Sequence, residues 1–406
     1  MVSLNVPGVG PEIERRVSDI DAETLTPIVR AILDDDTATI DEWDRSPMRG
    51  GVGGGYFGTA LFRFEGTATV ASSATERWSV VLKILAKRPD EVPSGHPYWK
   101  REAEAYRSDH IQQASGGLVP ATTYRIDEYP GESVWLWLED LSDDDGGSES
   151  WSLDQYRQVA RHLGQFNGAF LTGSEFPSGS WVIERTFDFS RTAGVVALVD
   201  TLPDEPIVRR HFPTEESRNR LFSAWQQRDQ LLAARDDLPP TFCHFDAFGR
   251  NLFATTTDDG TPRTVAIDWD QCGIARLGDD AGALVFLTLV FLDWPVSRAR
   301  ELERAVLDGY REGLTAVGWS GPDELVSRGY RLHVATRWLE WVGIAVKLTA
   351  DEGNYEWIAE MVGNPIEDVL DGNRDLHRFA FDTLDKLDLS ASPPGDATDE
   401  SSVGEA

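Results

Sequence analysis

The stretch "CHFDAFGRNLFA", residues 243–254, places His244, Asp246 and Asn251 in the spacing H-x-D-x-x-x-x-N. These polar groups stand among phenylalanines, where an unpaired polar side chain is costly. The run "TVAIDWDQCG" follows, in which Asp268 ends an apolar segment, and the turn signal "TTTDDGTPR" lies between the two. The pattern predicts a β-hairpin that brings Asn251 and Asp268 beside Asp246.

This set of residue types suits phosphoryl transfer. Such a reaction needs one carboxylate near a substrate hydroxyl, with an amide oxygen and a second carboxylate as metal ligands. Two other interpretations remain open. His244, Asp246, Asp268 and Asp270 could together ligate the metal ion of a hydrolase. The chain could also be a binding module that holds a nucleotide without transferring its phosphate.

The preceding part of the chain offers residues for the other half of such a site. Lys83 is the only lysine in an apolar strand-like run, "SVVLKIL", and a buried lysine needs a partner. Glu102, on the predicted helix "YWKREAEAYR", is the partner we expect. Gly53, Gly55 and Gly58 form G-x-G-x-x-G before a strand, which favours a glycine hairpin over phosphates, with a loop of no such role as the alternative.

The spacing of apolar residues divides the chain into four parts. Helical periodicity near the start predicts an N-terminal helical extension, and short runs rich in Val, Phe and Trp predict an antiparallel sheet with one helix. A larger helical part follows, and the end has too few apolar residues to fold. The predicted boundaries are 1–42, 43–138, 139–390 and 391–406, and the predicted class is α+β with two lobes.

Composition restricts the partners. The chain has 69 acidic and 38 basic residues and a formal net charge of -31, which argues against a nucleic-acid partner. We find no apolar run of 18 or more residues and no sequence resembling a secretory signal, so we expect a cytoplasmic protein that does not bind membranes. The acidity and the scarcity of lysine are typical of proteins from high salt, although a GC-rich genome also favours arginine over lysine.

Several of these segments together resemble the aminoglycoside phosphotransferase and choline kinase superfamily, the small-molecule relatives of protein kinases. They are the loop "GVGGGYFG", Lys83, Glu102, the segment "WLWLEDL" at 135–141, "HFDAFGRN" and "IDWD". The resemblance covers roughly residues 43–345. It implies a two-lobed protein-kinase-like fold and transfer of the γ-phosphate of ATP, with Mg²⁺, to a hydroxyl of a small molecule.

The resemblance also implies a role for each matching residue. Asp246 would orient the acceptor hydroxyl and take its proton, Asn251 and Asp268 would hold Mg²⁺, and Lys83 would contact the α- and β-phosphates. The supporting residues are Glu102 for Lys83, the three glycines over the phosphates, backbone groups near Glu139, Asp140 and Leu141 for adenine, and His244 and Asp280 as braces of the catalytic loop.

One departure leaves a role without a residue. Phe248 stands where many relatives have a basic or polar residue, so neutralising the transferred phosphate would fall to the metal, Lys83 or Arg250. Glu340 and Asp293 are candidates for recognising an amine, with a solvated surface position as the alternative. The acceptor stays open among an aminoglycoside, an amino sugar, choline, a hydroxylated metabolite and a macrolide, and we expect a monomer or a dimer.

Overall fold

The computed structural model describes most of the chain. The described residues are 11–48, 59–87, 98–112, 116–141, 151–257 and 259–389. The predicted glycine hairpin with Gly53, Gly55 and Gly58 and the predicted tail 391–406 therefore lie outside the described residues. Across the described ranges, none of the helices has the length and apolar character needed to span a membrane.

A five-stranded antiparallel sheet forms the first lobe, in the order β1-β2-β3-β6-β5. Alternate residues of β2 are buried, among them Ala60, Phe62 and Phe64, because successive side chains of a strand point to opposite faces. The strands before residue 140 are β1 Thr39–Met48, β2 Thr59–Thr69, β3 Thr75–Ala86, β4 Leu118–Pro120, β5 Thr123–Tyr129 and β6 Ser133–Glu139. Of these, β4 belongs to a second sheet.

Helices cover both faces of this sheet. The helices of this lobe are α1 Pro11–Ser18, α2 Ala22–Leu33, α3 Arg101–Arg107 and α4 Asp109–Gln112. Leu25, Ile28 and Val29 of α2 share one apolar cluster with Phe62, whereas α3 contributes Tyr106 to a larger cluster continuous with the second lobe. The first helices are therefore part of the core of the first lobe.

The second lobe is mainly helical, and α10 is buried along its whole length. Its helices are α5 Leu153–Leu171, α6 Ser190–Thr201, α7 Pro206–His211, α8 Glu215–Gln226, α9 Arg228–Asp236, α10 Asp279–Val290, α11 Ala299–Ala316, α12 Asp323–Thr349, α13 Tyr355–Val362 and α14 Ile366–Leu384. Its strands are β7 Pro240–Cys243, β8 Leu252–Thr256, β9 Pro262–Ala266 and β10 Gly273–Arg276. The α+β class with a β-rich lobe before a helical lobe is confirmed.

The start of α10 approaches α12 closely. Gly278 has φ +91°, and a Cβ atom there would lie 2.6 Å from the backbone nitrogen of Tyr330. This close contact brings His333 of α12 against the first turn of α10, where its Nδ1 lies 2.9 Å from Oδ1 of Asp279. A glycine at this position is therefore required by both conformation and space.

Asp279 is the centre of a buried charge cluster. Its carboxylate accepts two hydrogen bonds from Arg235, at 3.2 and 2.6 Å, and one from the backbone N–H of Arg276 at 2.7 Å. Burial raises the pKa of Asp279, but Arg235 and His333 outweigh burial and lower this pKa to about 2. The cluster joins α9, α10 and α12 beneath the loop that follows β7.

We expect Asp279→Asn to lower the free energy of unfolding by roughly 3–5 kcal/mol at pH 7, because Arg235 would stay buried without its counter-charge. Urea unfolding measures this, with Glu324→Gln, which removes a largely exposed pair with Arg331, as the control of little effect. The folded pKa of Asp279 is depressed, so its contribution is present above the unfolded pKa of about 3.9 and is lost as the pH falls toward 2. A variant as stable as the wild type at pH 7 would contradict this role.

Candidate active site

The loop between β7 and β8 carries His244, Asp246 and Asn251. Phe245 adopts φ +67°, a conformation that is rare for a bulky residue and has to be held by its surroundings. Asp280 holds it: Oδ1 accepts a hydrogen bond from the N–H of Phe245 at 2.7 Å, and Oδ2 accepts one from the N–H of His244 at 3.1 Å. Asp280, predicted to brace this loop, thus contacts its backbone directly.

The phenylalanines of the loop point into the second lobe. Phe245 packs on Phe187 with ring centroids 5.5 Å apart, and Phe248 stacks on Phe291 at 5.1 Å. Phe245 and Phe248 are both buried, whereas Asp246 is half-buried. The aromatic residues therefore anchor a loop whose carboxylate faces outward.

Asp246 and Asn251 are joined by two hydrogen bonds. Nδ2 of Asn251 donates to Oδ2 of Asp246 at 2.9 Å and to the carbonyl oxygen of Asp246 at 3.0 Å. With the amide hydrogens committed to Asp246, the amide oxygen of Asn251 can serve as a ligand for a cation. Burial raises the pKa of Asp246, Arg337 opposes the shift, and the charge of Asp268 adds to it.

The predicted hairpin is present. β8 and β9 pair antiparallel, and the N–H of Ile267 donates to the carbonyl of Asn251 at 2.9 Å, which places Asn251 and Asp268 at the open end of the hairpin. Asp268 has φ +61°, and its side chain is 40% exposed. We call the solvent-open space beside Lys83, Asp246 and Asp268 the cleft. Burial works against ionisation of Asp268, but the charge of Lys83 lowers its pKa.

The predicted ion pair between Lys83 and Glu102 is also present, and it has a third member. Nζ of Lys83 donates to Oε1 of Glu102 at 2.9 Å and to Oδ1 of Asp268 at 2.8 Å. Burial alone would lower the pKa of Lys83, but the charges of Asp268 and Glu102 raise it. Beside Glu102 on α3, Arg101 donates to the carbonyl of Asp270 at 3.2 Å. The helix α3 is thus joined to the segment after β9 directly by Arg101 and, by way of Lys83, by Glu102.

His244 has a bracing position. Its Nε2 lies 2.8 Å from the carbonyl oxygen of Ile267, and its ring lies 4.6 Å from that of Trp269. Burial lowers the pKa of His244, so the neutral ring donates from Nε2 to this carbonyl. Within the described ranges, no group of three or more His, Cys, Asp or Glu residues is arranged to hold a metal ion.

The segment predicted to contact adenine, residues 139–141, begins at the last residue of β6. The N–H of Glu139 donates to the carbonyl of Thr122 at 2.8 Å, and Oε2 of Glu139 accepts from the backbone N–H of Thr122 at 3.0 Å. Asp140 pairs with Nε of Arg63 at 2.9 Å, and Leu141 is buried in a small apolar cluster. The segment is therefore held in place by hydrogen bonds to Thr122, the ion pair with Arg63 and the burial of Leu141.

Two sequence interpretations need correction. Arg250 does not point to Asp246: its guanidinium donates to the carbonyls of Met361 and Val362. Asp293, a predicted amine-binding residue, lies 3.5 Å from Arg250 and is buried. Arg250 is drawn to these carbonyl groups near the end of α13, which a local pattern cannot predict.

Arg337 is a further residue beside Asp246 that no sequence motif indicates. Its Nη2 lies 3.5 Å from Oδ1 of Asp246, and its Nη1 lies 3.1 Å from Oε2 of Glu340, the second predicted amine-binding residue. Because Arg337 lies 91 positions after Asp246, no short motif links the two. Glu340 is thus already paired with a cation inside the protein.

Comparisons with known proteins identify a family and a fold. Residues 67–324 match the model of the phosphotransferase enzyme family, and no curated protein matches the sequence. A microcompartment-associated aminopropanol kinase is 14% identical over 89% of this chain and 99% of its own, with a TM-score of 0.50. A spectinomycin phosphotransferase solved with ADP and spectinomycin is 12% identical over 90% and 99%, with a TM-score of 0.47. The likeness to the aminopropanol kinase is one of fold, and the fold is the predicted protein-kinase-like one.

Proposed function

The chain belongs to the phosphotransferase enzyme family, and on this basis we propose that it transfers the γ-phosphate of ATP, with Mg²⁺, to a hydroxyl of a small molecule. The observation that carries the proposal is the position of Lys83, whose Nζ lies 2.8 Å from Oδ1 of Asp268. The ammonium group of Lys83, held between the carboxylates of Glu102 and Asp268, is suited to bind phosphate oxygens.

Lys83 is the proposed contact of the α- and β-phosphates. Glu102 keeps Nζ in place, while Asp268, the more exposed of its two partners, is the one that a phosphate can replace. The glycine hairpin with Gly53, Gly55 and Gly58 would cover the phosphates. The backbone of Glu139, Asp140 and Leu141 would bind adenine, and it is suited to this because Thr122 and Arg63 hold the side chains of Glu139 and Asp140.

Asn251 and Asp268 are the proposed magnesium ligands. Mg²⁺ takes oxygen ligands and is usually held by one or two protein groups, with water and phosphate oxygens completing the set. The carboxylate of Asp268 and the amide oxygen of Asn251 fit this preference, since the amide hydrogens of Asn251 are used by Asp246. The bound ion would supply positive charge against the negative charge of the phosphates.

Asp246 is the proposed catalytic residue. Asn251 occupies Oδ2, which leaves Oδ1 to accept the hydrogen bond of the acceptor hydroxyl. In a loose transition state the carboxylate chiefly orients this hydroxyl and takes its proton late. His244 and Asp280 would act through the loop backbone by holding Asp246 at the cleft.

The alternative is a kinase-like module that binds nucleotide but transfers no phosphate. A panel of sugars, amino alcohols, amino sugars, aminoglycosides and macrolides, assayed for ATP consumption and product mass, separates the two. A product heavier than its acceptor by one phosphoryl group supports the enzyme. Magnesium-dependent ATP binding with no product across the panel would favour the alternative.

We expect Asp246→Asn to lower kcat by roughly 100- to 10,000-fold on the acceptor found in the panel, the range of general-base contributions. The exchange is nearly isosteric, so ADP affinity and Tm should change little. Asp229→Asn, at an exposed position paired with Arg228, is the control and should keep full activity. Near-normal turnover of Asp246→Asn would remove Asp246 from the chemistry.

We expect Asp268→Asn to abolish the gain in ADP affinity that Mg²⁺ produces in the wild type. Asparagine tolerates the left-handed conformation at this position, so the change removes charge without adding strain. Titrations of ADP with Mg²⁺ and with EDTA measure the effect. Asp229→Asn, at an exposed position paired with Arg228, is the control and should keep the wild-type magnesium dependence. Equal magnesium dependence in wild type and Asp268→Asn would exclude Asp268 as a ligand.

A further inference from the structure

The guanidinium of Arg337 reaches the cleft beside Asp246 from α12. Its Nη2 lies 3.5 Å from Oδ1 of Asp246, longer than the roughly 2.7–2.9 Å of a closed charge-assisted hydrogen bond. The guanidinium and the carboxylate thus attract each other without forming a short hydrogen bond. A guanidinium held in this way keeps donors for a third group that enters between them.

Glu340 fixes the direction of Arg337. It lies one turn further along α12, and its Oε2 is 3.1 Å from Nη1 of Arg337. The other oxygen, Oε1, accepts the backbone N–H of Asp188 at 2.9 Å. The side chains of Arg337 and Glu340 are each 18% exposed, so the pair is partly shielded from water. This arrangement anchors Nη1 and turns Nη2 toward Asp246.

The catalytic loop does not supply a cation at this place. Arg250 is the only arginine or lysine in residues 243–254, and its guanidinium is bound to carbonyls near the end of α13. Phe248, two positions after Asp246, stacks on Phe291 in the core. The ammonium of Lys83 is shared by Glu102 and Asp268. Arg337 supplies, from α12, a positive charge 3.5 Å from Oδ1 of Asp246. Arg185 also favours the charged form of Asp246, but its effect on the pKa of this carboxyl is smaller than that of Arg337.

We propose that Arg337 binds the γ-phosphoryl group of the nucleotide and keeps hold of it during transfer. This inference rests on the proposed function. The bond between the γ-phosphorus and the oxygen of ADP breaks as the bond to the acceptor oxygen forms, and the acceptor proton passes to Oδ1 of Asp246. Arg337 stays protonated throughout and donates hydrogen bonds to non-bridging phosphoryl oxygens. The acceptor hydroxyl must donate a hydrogen bond to Oδ1 while its oxygen forms the bond to phosphorus. Because Nη2 lies 3.5 Å from Oδ1, the phosphoryl group would then be within reach of Nη2.

The test compares the affinities of Mg–ADP and Mg–AMP-PNP, which differ by the γ-phosphoryl group, by calorimetric titration. In Arg337→Ala we expect ADP affinity to stay within about twofold and AMP-PNP affinity to fall by about tenfold or more, because hydrogen bonds to a charged group are lost. The AMP-PNP affinity of Arg337→Lys should lie between those of the wild type and Arg337→Ala, since lysine keeps the charge without the fork geometry. Arg331→Ala is the matched control: it lies on the same helix and contacts Glu324 at 3.0 Å.

The outcomes separate this inference from the proposed function. If Arg337→Ala keeps the wild-type ratio of AMP-PNP to ADP affinity, Arg337 does not bind the γ-phosphoryl group, while the proposed function stands. If both affinities fall together with Tm, Arg337 has a structural role and the inference is wrong. If the wild-type protein binds neither nucleotide, the proposed function fails and this inference fails with it.

Discussion

The rest of the site depends on the pairing of the Lys83 ammonium group with two carboxylates. It joins β3 to Glu102 of α3 and to Asp268 after β9, so three elements from distant parts of the chain meet at one charge. A lysine this buried would lose its proton without such partners. Removing one partner of a buried ion pair leaves an uncompensated charge, which typically costs several kcal/mol. The position of α3 against the cleft is thereby tied to the charge of a single residue.

Two neighbouring carboxylates at the start of α10 divide the support of the catalytic loop. Asp279 is neutralised by Arg235 and joins helices to one another. Asp280 instead accepts backbone hydrogen bonds from His244 and Phe245, and Nδ2 of Asn167 donates to its Oδ2. One carboxylate stabilises the lobe, and the other holds the unusual backbone of Phe245, so that Asp246 reaches the cleft while the phenylalanines stay in the core.

The sequence predicts those parts of the site that local periodicity encodes. The hairpin between Asn251 and Asp268 follows from a turn signal between two apolar runs, and the Lys83–Glu102 pair follows from a charge in an apolar strand and a nearby helix face. Arg337 was missed because its contact with Asp246 depends on how α12 packs. Glu340 pairs with Arg337 three positions earlier on the same helix, a spacing that the sequence itself contains. The position of α13, in contrast, pairs Arg250 with carbonyl groups, and charge alone does not indicate this contact.

The most direct test of the account is the affinity of Mg–ADP for the Lys83→Met variant, measured by calorimetry. Lys87→Met, at the exposed position just after β3, is the control for loss of one positive charge. If Lys83 anchors the phosphates, ADP affinity falls by about tenfold or more in Lys83→Met and is unchanged in Lys87→Met. Wild-type ADP affinity in a folded Lys83→Met variant would contradict the account.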